Sequence, residues 1–365
     1  MYRYLARPII FQFDSEKTHE VLLNMGESMG KVAWLARSMQ ALCFSTEPVL
    51  VTTVANITFS NPIGLAAGFD YQAQLPSMLP GLGFGFGTVG TLTNLPYAGN
   101  LRPRLGRLVR SRSLMVNKGF KNAGIEKTLE KWQGKTFPVP VGVSIGRTNT
   151  ALHTSQREAI DDILSAFQKA EASGVSFSYY ELNISCPNLL SNIEFYSREH
   201  LNDLLTAVQA LNLVRPIFIK MPISLSNNDT LILLEVIMSQ RIAGVIFGNL
   251  QKDRAHPALL PEEVSSYPNG NFSGMACQDR SDELIALAYA KTKGKLPIIG
   301  CGGVFTALDA YRKIRLGASL IQLASALVFE GPSVPARISI DLAKLLKRDG
   351  WNSVRQAVGT ENAFE

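Results

Sequence analysis

The chain has 365 residues, 46% of them hydrophobic and 18% charged, a globular mixture with room for one barrel of ~250 residues plus an extension. Its 36 basic and 30 acidic side chains leave a formal charge of +6. That surplus fits either a mild preference for anionic surfaces and substrates or a solvated basic surface, and it is too small for the footprint of a nucleic-acid binder.

Residues 1–45 stand apart from the rest. Pro8 and the residues around Asp14 and Ser15 separate a short apolar helix from a longer one. Ser15 is the expected N-cap, with Glu16 and Glu20 near the positive helix end. Leu22, Leu23, Met25, Met29, Val32, Leu35, Met39 and Leu42 recur at roughly helical spacing, with Arg3, Arg7, Lys17, Lys31 and Arg37 interleaved. Such a basic amphipathic pair either lies on a membrane surface or packs as a hairpin on the main domain. No apolar run reaches ~18 residues, so no spanning helix is expected. The N-terminal MYRYLARPIIFQFD lacks the apolar core and small-residue cleavage site of a signal peptide.

After Pro48 short apolar runs alternate with amphipathic stretches. Strands are expected at 63–69, 86–92, 139–146, 179–184, 216–221, 244–249, 296–301 and 319–324, and helices at 155–172, 198–212, 229–240, 281–292 and 306–316. Eight such alternations, with strands apolar enough for a sheet buried on both faces, predict a parallel (β/α)8 barrel, an α/β fold of the TIM type, over residues 46–365. The hairpin-like VTTVANITFS (51–60) would plug its bottom. Segments 92–122 and 250–280 read as long loops on the face where barrel active sites lie.

Several motifs bear on chemistry. Gly85, Gly87 and Gly90 spell GxGxxG, but Thr91, Thr93, Asn94 and Pro96 follow, where a dinucleotide fingerprint needs a helix. Gly300-Cys-Gly302-Gly303 ends the seventh strand and Ala324-Ser325 the eighth, the usual phosphate cradle of barrels; a tight turn is the plainer reading. Lys220 sits on an apolar strand and must find a partner, such as the N1/O2 edge of a reduced flavin, or snorkel to solvent. Asn183-Ile-Ser-Cys186-Pro-Asn188 follows a strand. Its two carboxamides can bind the N–H and C=O edges of a heterocycle, and the thiol between them can move a proton or be inert core. With Cys43, Cys186, Cys277 and Cys301 there is no CxxC pair, so no metal site is expected, and the scattered thiols fit a reducing cytosol.

At these residues the chain resembles the dihydroorotate dehydrogenases. NPIGLAAGFD (61–70), GTLTNLPYAGNLRPRL (90–105), GFKNAG (119–124), NISCPN (183–188), IIGCGG (298–303) and GASLIQLASALVFEGP (317–332) echo that family in order. The N-terminal FQFDSEKTHE (11–20) is similar to the extension of its quinone-dependent class. The resemblance implies flavin mononucleotide (FMN) held by Ala67, Gly68, Thr91, Ser144, Asn183, Lys220, Gly248, Gly274, Gly302, Gly303, Ala324 and Ser325. It implies substrate contacts from Tyr71, Lys118, Gly119, Phe120, Asn183, Asn188 and Asn249, and Cys186 as catalytic base. It further implies dihydroorotate as substrate, a membrane quinone as electron acceptor, and residues 1–45 as a helical membrane- and quinone-associated extension. The protein would then be cytoplasmic, peripheral on the inner face of a membrane.

The sequence also departs from the family. Cys186 stands where the quinone class has serine, which implies a base available nearer neutral pH. Tyr71 replaces a lysine near the substrate carboxylate, and Val116 an asparagine, with Asn117 and Lys118 following. Ser144 and Gly248 replace polar residues near FMN, and Leu250 replaces a threonine. Since these changes gather around one ligand, two other readings stand beside dihydroorotate oxidation. One is action on another reduced cyclic amide or small carbonyl compound; the other is a silent membrane flavoprotein. Dihydrouridine reduction on tRNA is disfavoured by the lack of an evident RNA-binding domain.

Overall fold

Apolar runs with no polar face must be covered on both sides, and here they close on themselves. The computed structural model describes residues 2–362. Three helices come first, α1 (Ala6–Ile10), α2 (Ser15–Gly30) and α3 (Ala33–Cys43), then a hairpin of β1 (Thr52–Val54) and β2 (Ile57–Phe59). The strands that follow are β3 (Ile63–Leu65), β4 (Phe86–Leu92), β5 (Leu105–Leu108), β6 (Ser113–Val116), β7 (Val141–Ile145), β8 (Tyr179–Asn183), β9 (Ile217–Met221), β10 (Gly244–Phe247), β11 (Asn271–Gly274), β12 (Ile298–Cys301) and β13 (Leu320–Leu323). Eight of them form a closed barrel in the cyclic order β3-β4-β7-β8-β9-β10-β12-β13, every pairing parallel.

The expected strands and helices all occur. The first strand is shorter than expected, because Gly68 turns the chain at φ +95. The five expected helices appear at Gln156–Ala172, Arg198–Ala210, Asn227–Met238, Gln278–Thr292 and Ala307–Leu316. The β1–β2 hairpin does plug the barrel, since Val54 and Phe59 pack with Phe86, Tyr179, Phe218 and Leu320 in the interior. The GxGxxG glycines lie in and beside β4, with no helix after them. A Cβ on Gly85 would sit 2.2 Å from the Asn61 carbonyl oxygen, so that glycine serves close packing.

Two expectations change. Segments 92–122 and 250–280 are not simply loops: β5, β6 and β11 pair across them as a three-stranded antiparallel sheet at the barrel mouth. Residues 1–45 hold three helices rather than two, and Asp14, not Ser15, is the N-cap of the second, its carboxylate accepting the Lys17 N–H at 2.8 Å. The longer helix breaks after Gly30, where a Cβ would meet Ser77 at 3.0 Å; glycine there lets the helix end lie against the barrel.

The N-terminal helices are anchored by charge as well as by apolar contact. Buried Glu16 on α2 pairs with Lys121 at 2.8 Å, Arg104 at 3.1 Å and Arg102 at 3.4 Å. Burial pushes its carboxyl up, but Lys121 and Arg104 outweigh burial and hold it below the ordinary carboxylate range. A depressed folded-state pKa contributes stability above the unfolded value and loses it as pH falls through the folded one. Glu16→Gln should therefore cost roughly 1–3 kcal/mol of docking. Limited proteolysis at pH 7 should cut within residues 2–45 several-fold faster than in the wild type, and acidification should bring the two together. Equal cleavage rates at pH 7 would count against the anchor.

Candidate active site

Two adjoining cavities open at the C-terminal ends of the barrel strands, where the sites of such barrels lie. The larger is lined by Ala67, Gly68, Tyr71, Thr91, Lys118, Gly119, Phe120, Asn183, Cys186, Asn188, Lys220, Asn249, Ala324 and Ser325. The smaller shares Ala67, Lys220, Asn249, Ala324 and Ser325 and adds Gly248, Gly274, Gly302 and Gly303. Of the expected site residues only Ser144 lies outside both. Fully buried on β7, it sits 2.9 Å from the Thr91 hydroxyl and donates to Glu181 Oε1 at 3.1 Å, so it reaches the cavity only through Thr91.

The smaller cavity has the form of an anion cradle. Gly302 and Gly303 have φ of +92 and +70, and Gln278 Nε2 pins their loop by donating to the Gly303 carbonyl at 2.7 Å. The helix Ser325–Glu330 begins there, and the first N–H groups of a helix have no acceptor within it. At the junction with the larger cavity Gly68 leaves open space where a Cβ would project. A backbone-lined pocket at one end and a broader slot bounded by amides and a lysine fit a flavin nucleotide.

Lys220 does not snorkel. It is only 4% exposed, and its ammonium lies 3.4 Å from the Glu181 carboxylate. Burial pulls its basicity down, but the charge of Glu181 outweighs burial and leaves it above the usual lysine value.

The carboxamides are held from behind. Asn183 Nδ2 donates to the Thr91 hydroxyl at 2.8 Å, while its Oδ1 accepts from the Ser185 N–H and hydroxyl at 3.1 and 2.9 Å. Asn188 donates to the Val116 carbonyl at 3.0 Å and accepts from Asn271 at 2.6 Å. Asn249 donates to the Ser185 hydroxyl and accepts the Leu250 N–H at 2.9 Å. Each amide keeps a second proton for a ligand, and Asn188 and Asn249 also keep a second lone pair. Among them Cys186 is half-buried, and burial pushes its thiol up to about 11 against the Asn188 N–H and the charges of Arg147, Lys220 and Lys252. The expected thiolate near neutral pH is therefore corrected: without a ligand the thiol keeps its proton there.

At the outer end Lys118 lies 4.4 Å from the centre of the Tyr71 ring, and its ammonium has no hydrogen bond or ion pair among the described residues. Burial pushes it down to about 8, with the charges of Lys121 and Arg104 adding to the effect. His19, which the sequence reading did not single out, also lines this end. Its Nε2–H donates to the Phe69 carbonyl at 2.8 Å, and burial with the Lys118 charge holds it neutral, pushed down to about 3. Phe69, Leu105, Leu114 and Val328 make the wall apolar. Leu105 and Leu114 escaped the sequence reading because their strands were taken as loop, whereas the signal for His19 lay in the FQFDSEKTHE segment.

A family model described as dihydroorotate dehydrogenase matches residues 49–346. The chain belongs to the dihydroorotate dehydrogenase family. It is 33% identical to a dihydroorotate dehydrogenase (quinone) of Gloeobacter violaceus over 98% of each chain. It is 36% identical to one of Rippkaea orientalis over 89% of this chain and 87% of that one. A crystal structure of DHODH from Eimeria tenella in complex with ferulenol superposes with a TM-score of 0.81 at 27% identity, covering 96% of each chain.

As a member of that family the chain is a flavin-dependent oxidoreductase. Tyr71, Val116, Lys118 and Leu250 all line the larger cavity. Lys118 rests on the ring of Tyr71. Because its folded-state pKa is depressed, Lys118 destabilises the fold at neutral pH, and the penalty fades as pH rises through 8 toward the unfolded lysine value. Lys118→Met should therefore stabilise the fold at pH 7 by on the order of 1–3 kcal/mol, read as a higher Tm, with the gain shrinking by pH 10. A variant less stable than wild type at pH 7 would show that the ammonium has a stabilising partner.

Proposed function

We propose that the chain oxidises dihydroorotate to orotate, using FMN as its flavin and a membrane quinone as electron acceptor. The observation that carries this reading is the grouping, in one cavity, of three oriented carboxamides, a thiol and two buried lysines beside a glycine-lined anion cradle. The names of the relatives, dihydroorotate dehydrogenase (quinone), support the substrate and the acceptor.

Lys220, Asn183, Thr91, Ala67, Gly68, Ala324 and Ser325 would hold the ring and ribityl portions of FMN, and Gly248, Gly274, Gly302 and Gly303 the phosphate end. Ser144 acts by orienting Thr91. Bound FMN supplies two-electron chemistry, accepting from the substrate and delivering to the quinone. Asn183, Asn188 and Asn249 orient the pyrimidine by its amide edges, while Gly119 and Phe120 close over it. Lys118 holds the carboxylate in place of the missing lysine. Cys186 takes the proton from C5, and the ring plane fixed by the carboxamides decides which proton it meets. Val116 and Leu250, apolar where the family is polar, favour a second reading in which the substrate is a different reduced cyclic amide; orotate affinity separates the two.

Anaerobic titration of the purified yellow protein with dihydroorotate should bleach the flavin. Since thiolate is the base and the thiol lies at about 11, the bleaching rate should climb through the alkaline range. Cys186→Ser should abolish that climb and slow bleaching by roughly 10²–10⁴-fold. Lys118→Met should weaken orotate binding about tenfold, equivalent to ~1.4 kcal/mol. FMN-loaded wild type with no measurable orotate affinity would overturn the substrate and leave the second reading.

Residues 1–45 are proposed to lie on the inner face of the membrane as the quinone entrance. Leu5, Ile9, Phe13, Val21, Leu22, Met25, Trp34 and Leu42 are exposed there, and α3 buries none of its residues. Among the described residues no helix is long and apolar enough to cross a membrane. Replacing Leu22, Met25 and Trp34 by serine should abolish sedimentation with anionic vesicles and sharply slow quinone reduction, while bleaching by dihydroorotate stays as in wild type. Unchanged sedimentation would place the membrane contact elsewhere.

A further inference from the structure

Glu181 stands in the middle of β8, fully buried. It pairs in register with Ser144 on β7 and Phe218 on β9, and two pairs further along β8 and β9, on the same face, Asn183 faces Lys220. The carboxylate therefore sits one layer beneath the cavity floor, which Lys220 borders. Five other acids are buried among the described residues: Glu16, Asp70, Asp162, Asp282 and Glu330. Each uses both oxygens in hydrogen bonds or ion pairs. Glu181 alone has an oxygen, Oε2, with no hydrogen-bond partner. Its other oxygen accepts from Ser144, and its ion partner is Lys220 at 3.4 Å.

A barrel interior is ordinarily filled with apolar side chains, and a buried ion pair is weak evidence for stability. The pair is better explained by what Lys220 faces. We propose that Glu181 sets the electron affinity of the bound flavin by drawing part of the Lys220 charge away from the cavity. The proposal rests on the flavin reading above. Two electrons and one proton added to an oxidised flavin leave one negative charge at its N1–C2=O edge, and a nearby ammonium favours that form. A carboxylate on the far side of the same ammonium opposes it, strongly so where water is excluded. Glu181 thereby keeps the reduced flavin a better donor, which suits an enzyme that must pass electrons on to a quinone.

The test is an equilibrium redox titration of the FMN-loaded protein against a reference dye under anaerobic conditions, comparing wild type with Glu181→Gln. Glutamine keeps the shape and can still accept the Ser144 hydrogen bond but removes the charge. The expected result is at least a tenfold shift toward reduced flavin, a potential about 30 mV more positive for a two-electron couple. A potential unchanged or more negative in a yellow variant overturns the role of Glu181 and leaves the flavin reading intact. If the glutamine variant does not accumulate with FMN, Glu181→Asp, which withdraws the carboxylate by one methylene, should shift the same equilibrium at least threefold in the same direction, and no shift there overturns the proposal. Wild-type protein that takes up no FMN overturns both readings.

Discussion

Closure of the parallel barrel is the constraint on which the rest depends. Once eight apolar strands are covered on both faces, polar chemistry is confined to their C-terminal rim. The interior is graded accordingly. Phe59, Phe86, Tyr179 and Phe218 fill the bottom with edge-to-face rings. Above them Thr88 accepts from Gln322 at 2.9 Å and meets the Tyr179 hydroxyl at 2.8 Å. Ser144, Glu181 and Lys220 come next, and only then the cavity. Each layer is more polar than the one below, so the charge at the floor is held by a scaffold that water does not reach.

That constraint explains what could be read from the chain itself. Strands buried on both faces are plain apolar runs, and their spacing announces the barrel. The small sheet at the mouth was hidden because β5, β6 and β11 have four residues each, and β11 joins the β5–β6 hairpin only across a long stretch of sequence, 271 with 116. The split of the N-terminal helix at Gly30 depends on its approach to Ser77, a tertiary contact no periodicity records. The residues singled out by motif resemblance line the two cavities, Ser144 excepted. Glu181 went unremarked because the facing of a side chain inside a barrel depends on strand tilt and register, and the run YYELNI shows only one acid among apolar neighbours.

The two buried lysines of the cavity are in opposite electrostatic states. Lys220 has a carboxylate behind it and is held more basic than usual, whereas Lys118 has only an aromatic face and is held less basic. Cation–π contact offsets part of the desolvation of an ammonium but not all of it. Lys118 is therefore the group with most to gain from an arriving anion, and Lys220 the group already committed to tuning its surroundings. With Tyr71 at this end of the cavity, the positive charge is supplied by the neighbouring loop, whose Lys118 lies over the ring.

The proposed anion binding at Lys118 and proton removal at Cys186 pull the cavity in opposite directions. A carboxylate seated on Lys118 neutralises a charge that burial penalises, which raises the basicity of that lysine and stabilises the liganded state. Cys186 in the thiol form adds no negative charge to repel that carboxylate, so the pocket accepts an anionic ligand while its base is still protonated. A thiolate there must form against burial, favoured by the Asn188 N–H and by the charges of Arg147, Lys220 and Lys252. On the proposed roles, binding and catalysis ask for different charge states of the same pocket, and neutral pH suits the first better than the second.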